Sequence, residues 1–99
     1  MTEATSHETH SVLADSMVNL IAGMAHALVD FPEQVSVTSM PDRDGTLLLL
    51  RVAPADLGKV IGKQGRTARS MRTILGAASM KAQYRFSLDI QQAGSISAT

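Results

Sequence analysis

Apolar residues recur at three- and four-residue spacing through Leu13, Met17, Leu20, Ile21, Met24 and Leu28, which predicts one amphipathic helix over 12–30. Ser11 stands at its N-cap with Asp15 near the first turn. Pro32 ends it, because the residue ahead of a proline avoids helical geometry. The period then changes. Residues 35–40 alternate apolar with small polar, as a strand with one buried face does, and 47–52 are almost continuously apolar, as in a strand central to a sheet or covered on both sides. Pro41-Asp42-Arg43-Asp44-Gly45 between them supplies turn residues, so the two strands read as a hairpin. Pro54 opens a short helix where its missing N–H costs nothing, and Leu57, Val60 and Ile61 form that helix's buried side. Gly62 stops it. A further helix runs from Gly65 to about 80, with Ala68, Met71, Ile74, Leu75 and Ala78 as its stripe. Over 84–90 the alternation returns, with Tyr84, Phe86, Leu88 and Ile90 on one face and Arg85, Ser87 and Asp89 on the other.

The order α-β-β-α-α-β predicts an α+β domain: a three-stranded sheet with helices packed on one face. The domain is expected over 11–90, between a polar, disordered tail over 1–10 and a flexible tail over 91–99. A length of 99 residues fits one domain. Phe31, Tyr84 and Phe86 are the only aromatics, so the core is expected to be aliphatic. The absence of cysteine excludes a disulfide framework, a thiolate zinc site and a Cys nucleophile, and fits a reducing compartment. No apolar run approaches the roughly 20 residues of a membrane span, and residues 1–10 lack the basic and apolar regions of a secretory signal. The expectation is a cytoplasmic protein with no membrane partner.

Net charge is zero, but its distribution is uneven. Before Gly45, Glu3, Glu8, Asp15, Asp30, Glu33, Asp42 and Asp44 face only Arg43, a net −6. From Gly45 on, Arg51, Lys59, Lys63, Arg66, Arg69, Arg72, Lys81 and Arg85 outweigh Asp56 and Asp89, a net +6. A split of this kind points to an anionic partner for one face.

The stretch that carries chemistry is Val60-Ile61-Gly62-Lys63-Gln64-Gly65-Arg66-Thr67, set between two predicted helices. Its glycines permit a tight turn and close approach of a ligand. The helix after Gly65 offers unpaired N–H groups and the positive end of its dipole, so the loop amides from Gly62 to Gly65 are expected to bind anions. Lys63 adds an ammonium and Gln64 an amide. Arg66, Arg69 and Arg72 follow at three-residue steps and line one side of the helix, with Lys59 ahead of the loop. Such a track suits a phosphate backbone better than a single small anion. Among the arginines Arg66, nearest the loop, ranks first, then Arg69, then Arg72; Lys59 and Arg51 suit a structural role equally well.

Gly62-Lys63-Gln64-Gly65 between two helices resembles the GXXG loop of a KH domain, which clamps about four nucleotides, and the element order resembles the bacterial type II arrangement. The likeness extends to Ala27-Leu28-Val29-Asp30 with Pro32-Glu33, to Leu50-Arg51-Val52-Ala53-Pro54, to the run from Asp56 through Ala68, and to Leu88-Asp89-Ile90. Together these are similar to the KhpA family of small bacterial single-KH proteins, over about 17–90. The resemblance implies binding of single-stranded RNA with little sequence preference, and a role as RNA chaperone or post-transcriptional regulator. It also implies homodimers, pairing with the larger KhpB, and ties to cell elongation and envelope homeostasis. The residues expected to contact RNA are Lys59, Val60, Ile61, Gly62, Lys63, Gln64, Gly65, Arg66 and Arg69, with Val60, Ile61 and the edge strand forming the groove expected to hold bases. Ala68 stands where many KH domains carry Ile, which makes the groove wall smaller. The tail over 1–10 is longer than the family leads one to expect.

Other chemistry is weaker. His7 and His10 have ligand-like spacing but no third ligand, His26 projects away from the apolar face of its helix, and the methionines are core filler, except Met80 near the basic side. After Gly58 both the spacing and the hydroxyl of a Walker loop fail. No Ser/His/Asp set or metal motif appears, so no enzyme, cofactor, metal or small-molecule substrate is expected. The competing expectation is a protein–protein module whose KH surface serves a homodimer or a KhpB-like partner.

Overall fold

The structure, a computed structural model, describes the backbone from Thr2 to Gly94 and the side chains from Ser11 to Gly94. Helix α1 spans Thr2–Leu28. It begins ahead of the N-cap expected at Ser11, since neither proline nor glycine interrupts residues 2–11. His7 and His10, whose ligand-like spacing lacks a third partner, lie outside the described side chains, as residues 95–99 of the expected C-terminal tail lie outside the described residues.

Ile21 and Ala25 are fully buried in α1, flanked by partly buried Leu13, Ala14, Met17, Val18 and Met24. Leu20 and Leu28, expected in the buried face, are exposed at its border. By length and composition Ser11–Leu28 is apolar enough to cross a membrane, contrary to the sequence expectation. The count of uninterrupted apolar residues missed this because serines, Asn19 and a single acid, Asp15, are spread through a segment that is apolar on average. A core helix meets the same criterion, and here one stripe of the segment packs on the sheet.

Strands β1 (Ser36–Asp42) and β2 (Gly45–Val52) form an antiparallel hairpin closed by Arg43 and Asp44, with Val37 opposite Leu50. Pro41 therefore lies inside β1, where an edge strand tolerates its missing N–H. A single 3₁₀ turn at Pro54–Asp56 leads into α2 (Leu57–Ile61), and α3 runs Arg66–Ala82. Strand β3 (Arg85–Gln92) pairs parallel with β2, giving the sheet order β1-β2-β3. β2 is thus the central strand, as its apolar run suggested. A Cβ at Gly45 would overlap the Arg85 carbonyl, so the two strands meet there only because β2 begins with glycine.

One face of β2 buries Thr46, Leu48, Leu50 and Val52. Leu48, Leu50 and Val52 join Ile21, Val60, Met71, Leu75, Phe86 and Leu88 in a core shared by all three helices and the sheet. That is the α+β architecture expected, with an aliphatic interior in which each full side-chain burial contributes about 1.5–3 kcal/mol. Ile74 departs from the predicted stripe of α3. At 44% exposure it faces outward, because Met71 and Leu75 already centre the buried side.

Candidate nucleic-acid interface

The loop between α2 and α3 is shaped by two glycines with different needs. Gly62 has φ 79° and ψ 169°, a region open in practice only to glycine, and a Cβ there would lie 2.8 Å from the Thr67 N. Gly65 is left-handed at φ 73°, with open space where a Cβ would stand. Gly62→Ala should therefore combine a collision with about 1–3 kcal/mol of backbone strain, whereas Gly65→Ala costs only about 1–2 kcal/mol of strain. Thermal unfolding checks this: the Gly62 variant melts at the lower temperature, and equal melting points would refute the distinction.

Gln64 is also left-handed, at φ 57°. Its carbonyl oxygen Oε1 accepts from Arg66 Nη2 at 3.1 Å. The expectation that all four loop amides face a ligand needs correcting. Gly62 N–H donates to the Gly58 carbonyl at 2.8 Å and Gly65 N–H to the Gly62 carbonyl at 3.0 Å, so both close the turn instead. The Lys63 and Gln64 N–H groups have no backbone acceptor among the described residues. The Arg66 N–H donates to the Lys63 carbonyl, so the Lys63 and Gln64 groups join the later first-turn amides of α3 as the donors available at this end. The Lys63, Gln64, Arg66, Arg69 and Arg72 side chains are all exposed.

The other predicted site residues fall in three different places. Ile61 is exposed and lines a cleft of about 450 Å³ with Gly65, Ala68, Arg69, Arg72 and Ile90, between the loop and the edge of β3. Val60 is fully buried in the core, so its side chain supports the cleft from behind and does not line it. Lys59 donates to Asp30 Oδ2 at 3.1 Å and Asp56 Oδ1 at 3.4 Å, so its ammonium is held by two carboxylates. The Asp30 partner, then Asp56, holds its pKa above the usual lysine value.

Asp56 is the residue sequence reasoning missed. It is fully buried, and its carboxylate accepts from the N–H of Asp30 at 3.1 Å and of Phe31 at 3.0 Å. Burial pushes the carboxyl up, but the two backbone donors and Lys59 outweigh it and hold the pKa below the ordinary carboxylate value. Asp56 thus ties the exit of α1 to the start of α2, and so fixes the helix that ends in the loop. Its position ahead of a short helix suggests an N-cap, yet its side chain makes no cap hydrogen bond. Among the described residues no group of three His, Cys, Asp or Glu is placed to hold a metal ion.

A glycine-bracketed turn joining two helices, packed against a mixed sheet of order β1-β2-β3 with β2 and β3 parallel, defines a KH domain of type II. The chain matches the KH domain of KhpA/KhpB over residues 18–90, and it belongs to that family. It is 52% identical over 71 residues to the RNA-binding protein KhpA of Treponema pallidum (strain Nichols), covering 72% of this chain and 89% of that one. The RNA-binding protein KhpA of Clostridium acetobutylicum is 43% identical over 74 residues, covering 75% and 99% of the two chains. That of Streptomyces coelicolor is 47% identical over 66 residues, covering 67% and 78%. No solved structure matches the chain.

Proposed function

We propose that this protein binds single-stranded RNA, holding phosphates at the Gly62-Lys63-Gln64-Gly65 loop and bases in the cleft beside it. The observation that carries the reading is the loop itself: N–H groups at Lys63 and Gln64 without a backbone acceptor among the described residues, the N-terminus of a 17-residue helix, and exposed Lys63, Arg66 and Arg69 around them. The relatives' names as RNA-binding proteins support it. The binding unit is residues 11–90. The cleft wall of Ile61, Ala68 and Ile90 has no aromatic platform, so affinity is modest and largely electrostatic. With about four phosphates contacted, log K falls with log salt at a slope near −2.8, from about 0.7 per phosphate on single strands. Anisotropy titrations of a short RNA over a range of salt concentrations measure this, and a slope near zero overturns the phosphate clamp.

The finer role follows the family resemblance: a cytoplasmic RNA chaperone or post-transcriptional regulator acting with a KhpB-like partner and bearing on cell elongation and envelope homeostasis. A second reading, in which the domain mainly serves a homodimer or that partner, is favoured by one observation. Met24, Ala27, Leu28, Met71 and Ile74 surround a cleft of about 270 Å³ on the α1–α3 side, with Leu28 38% and Ile74 44% exposed. Analytical ultracentrifugation with and without RNA separates the two roles: RNA bound only by monomer means that they compete.

A further inference from the structure

Three of the four loop residues have left-handed backbone angles: Gly62 at φ 79°, Gln64 at 57° and Gly65 at 73°. Such angles persist where the surroundings hold them. From within the loop, the Gly65 N–H donates to the Gly62 carbonyl at 3.0 Å. The Gly62–Lys63 peptide is planar and trans, so this bond directs the Lys63 N–H away from the Gly65 amide. That N–H has no backbone acceptor among the described residues.

Thr67 holds the same peptide from outside the loop. Its Oγ1 and Cβ stand where a Gly62 side chain would go, the Cβ 2.7 Å from the position of that missing atom. Thr67 also lines the cleft between α1 and α3, whose exposed walls are apolar although Thr67 and Ser70 belong to them. Thr67 therefore offers its methyl group to the cleft and its hydroxyl to Gly62. A β-branched side chain is stiff at χ1 in a helix, and contacts on two sides fix the rotamer it takes.

The hydroxyls of Thr73 and Ser79 donate to the carbonyls of Arg69 and Leu75, four residues back, at 3.0 and 2.9 Å. Thr67 makes no such bond. The Lys63 carbonyl accepts from the Arg66 N–H instead, and Thr67 Oγ1 has no hydrogen bond among the described residues. What Thr67 contributes beside Gly62 is shape.

We propose that Thr67 is a positioning residue for RNA: wedged between the α1–α3 cleft and Gly62, it keeps the Gly62–Lys63 peptide in the orientation that leaves the Lys63 N–H to a phosphate. The inference rests on the RNA-binding reading of the loop and names the side chain that prepares it.

The test is fluorescence anisotropy of the full chain with a short uridine RNA, joined to thermal unfolding and to NMR relaxation of the Lys63 amide in the free protein. Thr67→Ala removes the wedge from a helix that alanine suits. It binds about fivefold more weakly, the lower end of what re-ordering one backbone residue costs, while its melting temperature stays within a few degrees of wild type. Thr67→Val keeps the branched shape without the hydroxyl and binds as wild type does. The Lys63 amide is equally ordered in wild type and the valine variant and gains motion in the alanine variant. Equal binding by the alanine variant, or a loss that only follows a fall in melting temperature, overturns the positioning role. A valine variant as weak as the alanine one gives the RNA contact to the hydroxyl itself and overturns it too. Unchanged Lys63 relaxation in the alanine variant overturns this inference alone, whereas failure of the wild type to bind RNA overturns the RNA-binding reading and this inference with it.

Discussion

The double variant Lys63→Asp, Gln64→Asp binds a short single-stranded RNA at least about tenfold more weakly than wild type, while its melting temperature stays within a few degrees. Both side chains are exposed, and neither belongs to the core. Gln64 is left-handed at φ 57°, a region that aspartate adopts more readily than glutamine, so the turn keeps its shape. The effect on binding is electrostatic. Two carboxylates would stand beside the Lys63 and Gln64 amides, replacing an attraction for phosphate by a repulsion where the local charge is otherwise set by Arg66, Arg69 and the end of the α3 dipole. Anisotropy measures the binding and circular dichroism the fold. Equal binding by the folded variant would make the loop a structural turn and move the RNA to the arginine track or to another surface.

Asp56→Ala produces the largest loss of stability predicted for a single side chain here, a fall of roughly 10 °C in melting temperature. The substitution strands the N–H groups of Asp30 and Phe31 and leaves Lys59 with only the exposed Asp30. The pH dependence fixes the cause. The folded pKa of Asp56 lies below its unfolded value, so falling pH favours the unfolded state, which binds the proton more readily. The stabilisation is complete above the unfolded value, about pH 4, and is lost as pH falls through the lower folded value. The gap in melting temperature between wild type and Asp56→Ala therefore narrows in that acid window and is constant from about pH 5 to 8. A gap that stays constant into acid would assign the effect to packing and remove the carboxylate from the account. RNA affinity should also weaken in this variant, because α2 and the loop lose their tether to α1.

The limits of local patterns explain which expectations needed correction. Three-residue spacing correctly placed Arg66, Arg69 and Arg72 on the exposed side of α3. It could not show that Arg72 reaches a carbonyl 16 residues away. Val60 and Ile61 read alike as apolar neighbours, yet only Ile61 reaches the cleft, because the short α2 turns Val60 into the shared core. Glycine positions announced the loop, whereas the hydrogen bonds that occupy the Gly62 and Gly65 amides follow from how the chain closes the turn.

The element order, the glycine-bracketed loop and the basic track after it were determined by the sequence alone. Each depends on periodicity, on proline and glycine, or on charge within a few residues, and those act locally on backbone angles and on which face is buried. The tertiary structure alone decided that Asp56 anchors the α1 exit, that Lys59 is held by two acids, and that Arg72 bonds the Leu88 carbonyl on β3. These are pairings between groups from separate elements, and a buried donor or acceptor takes whichever partner packing brings within reach.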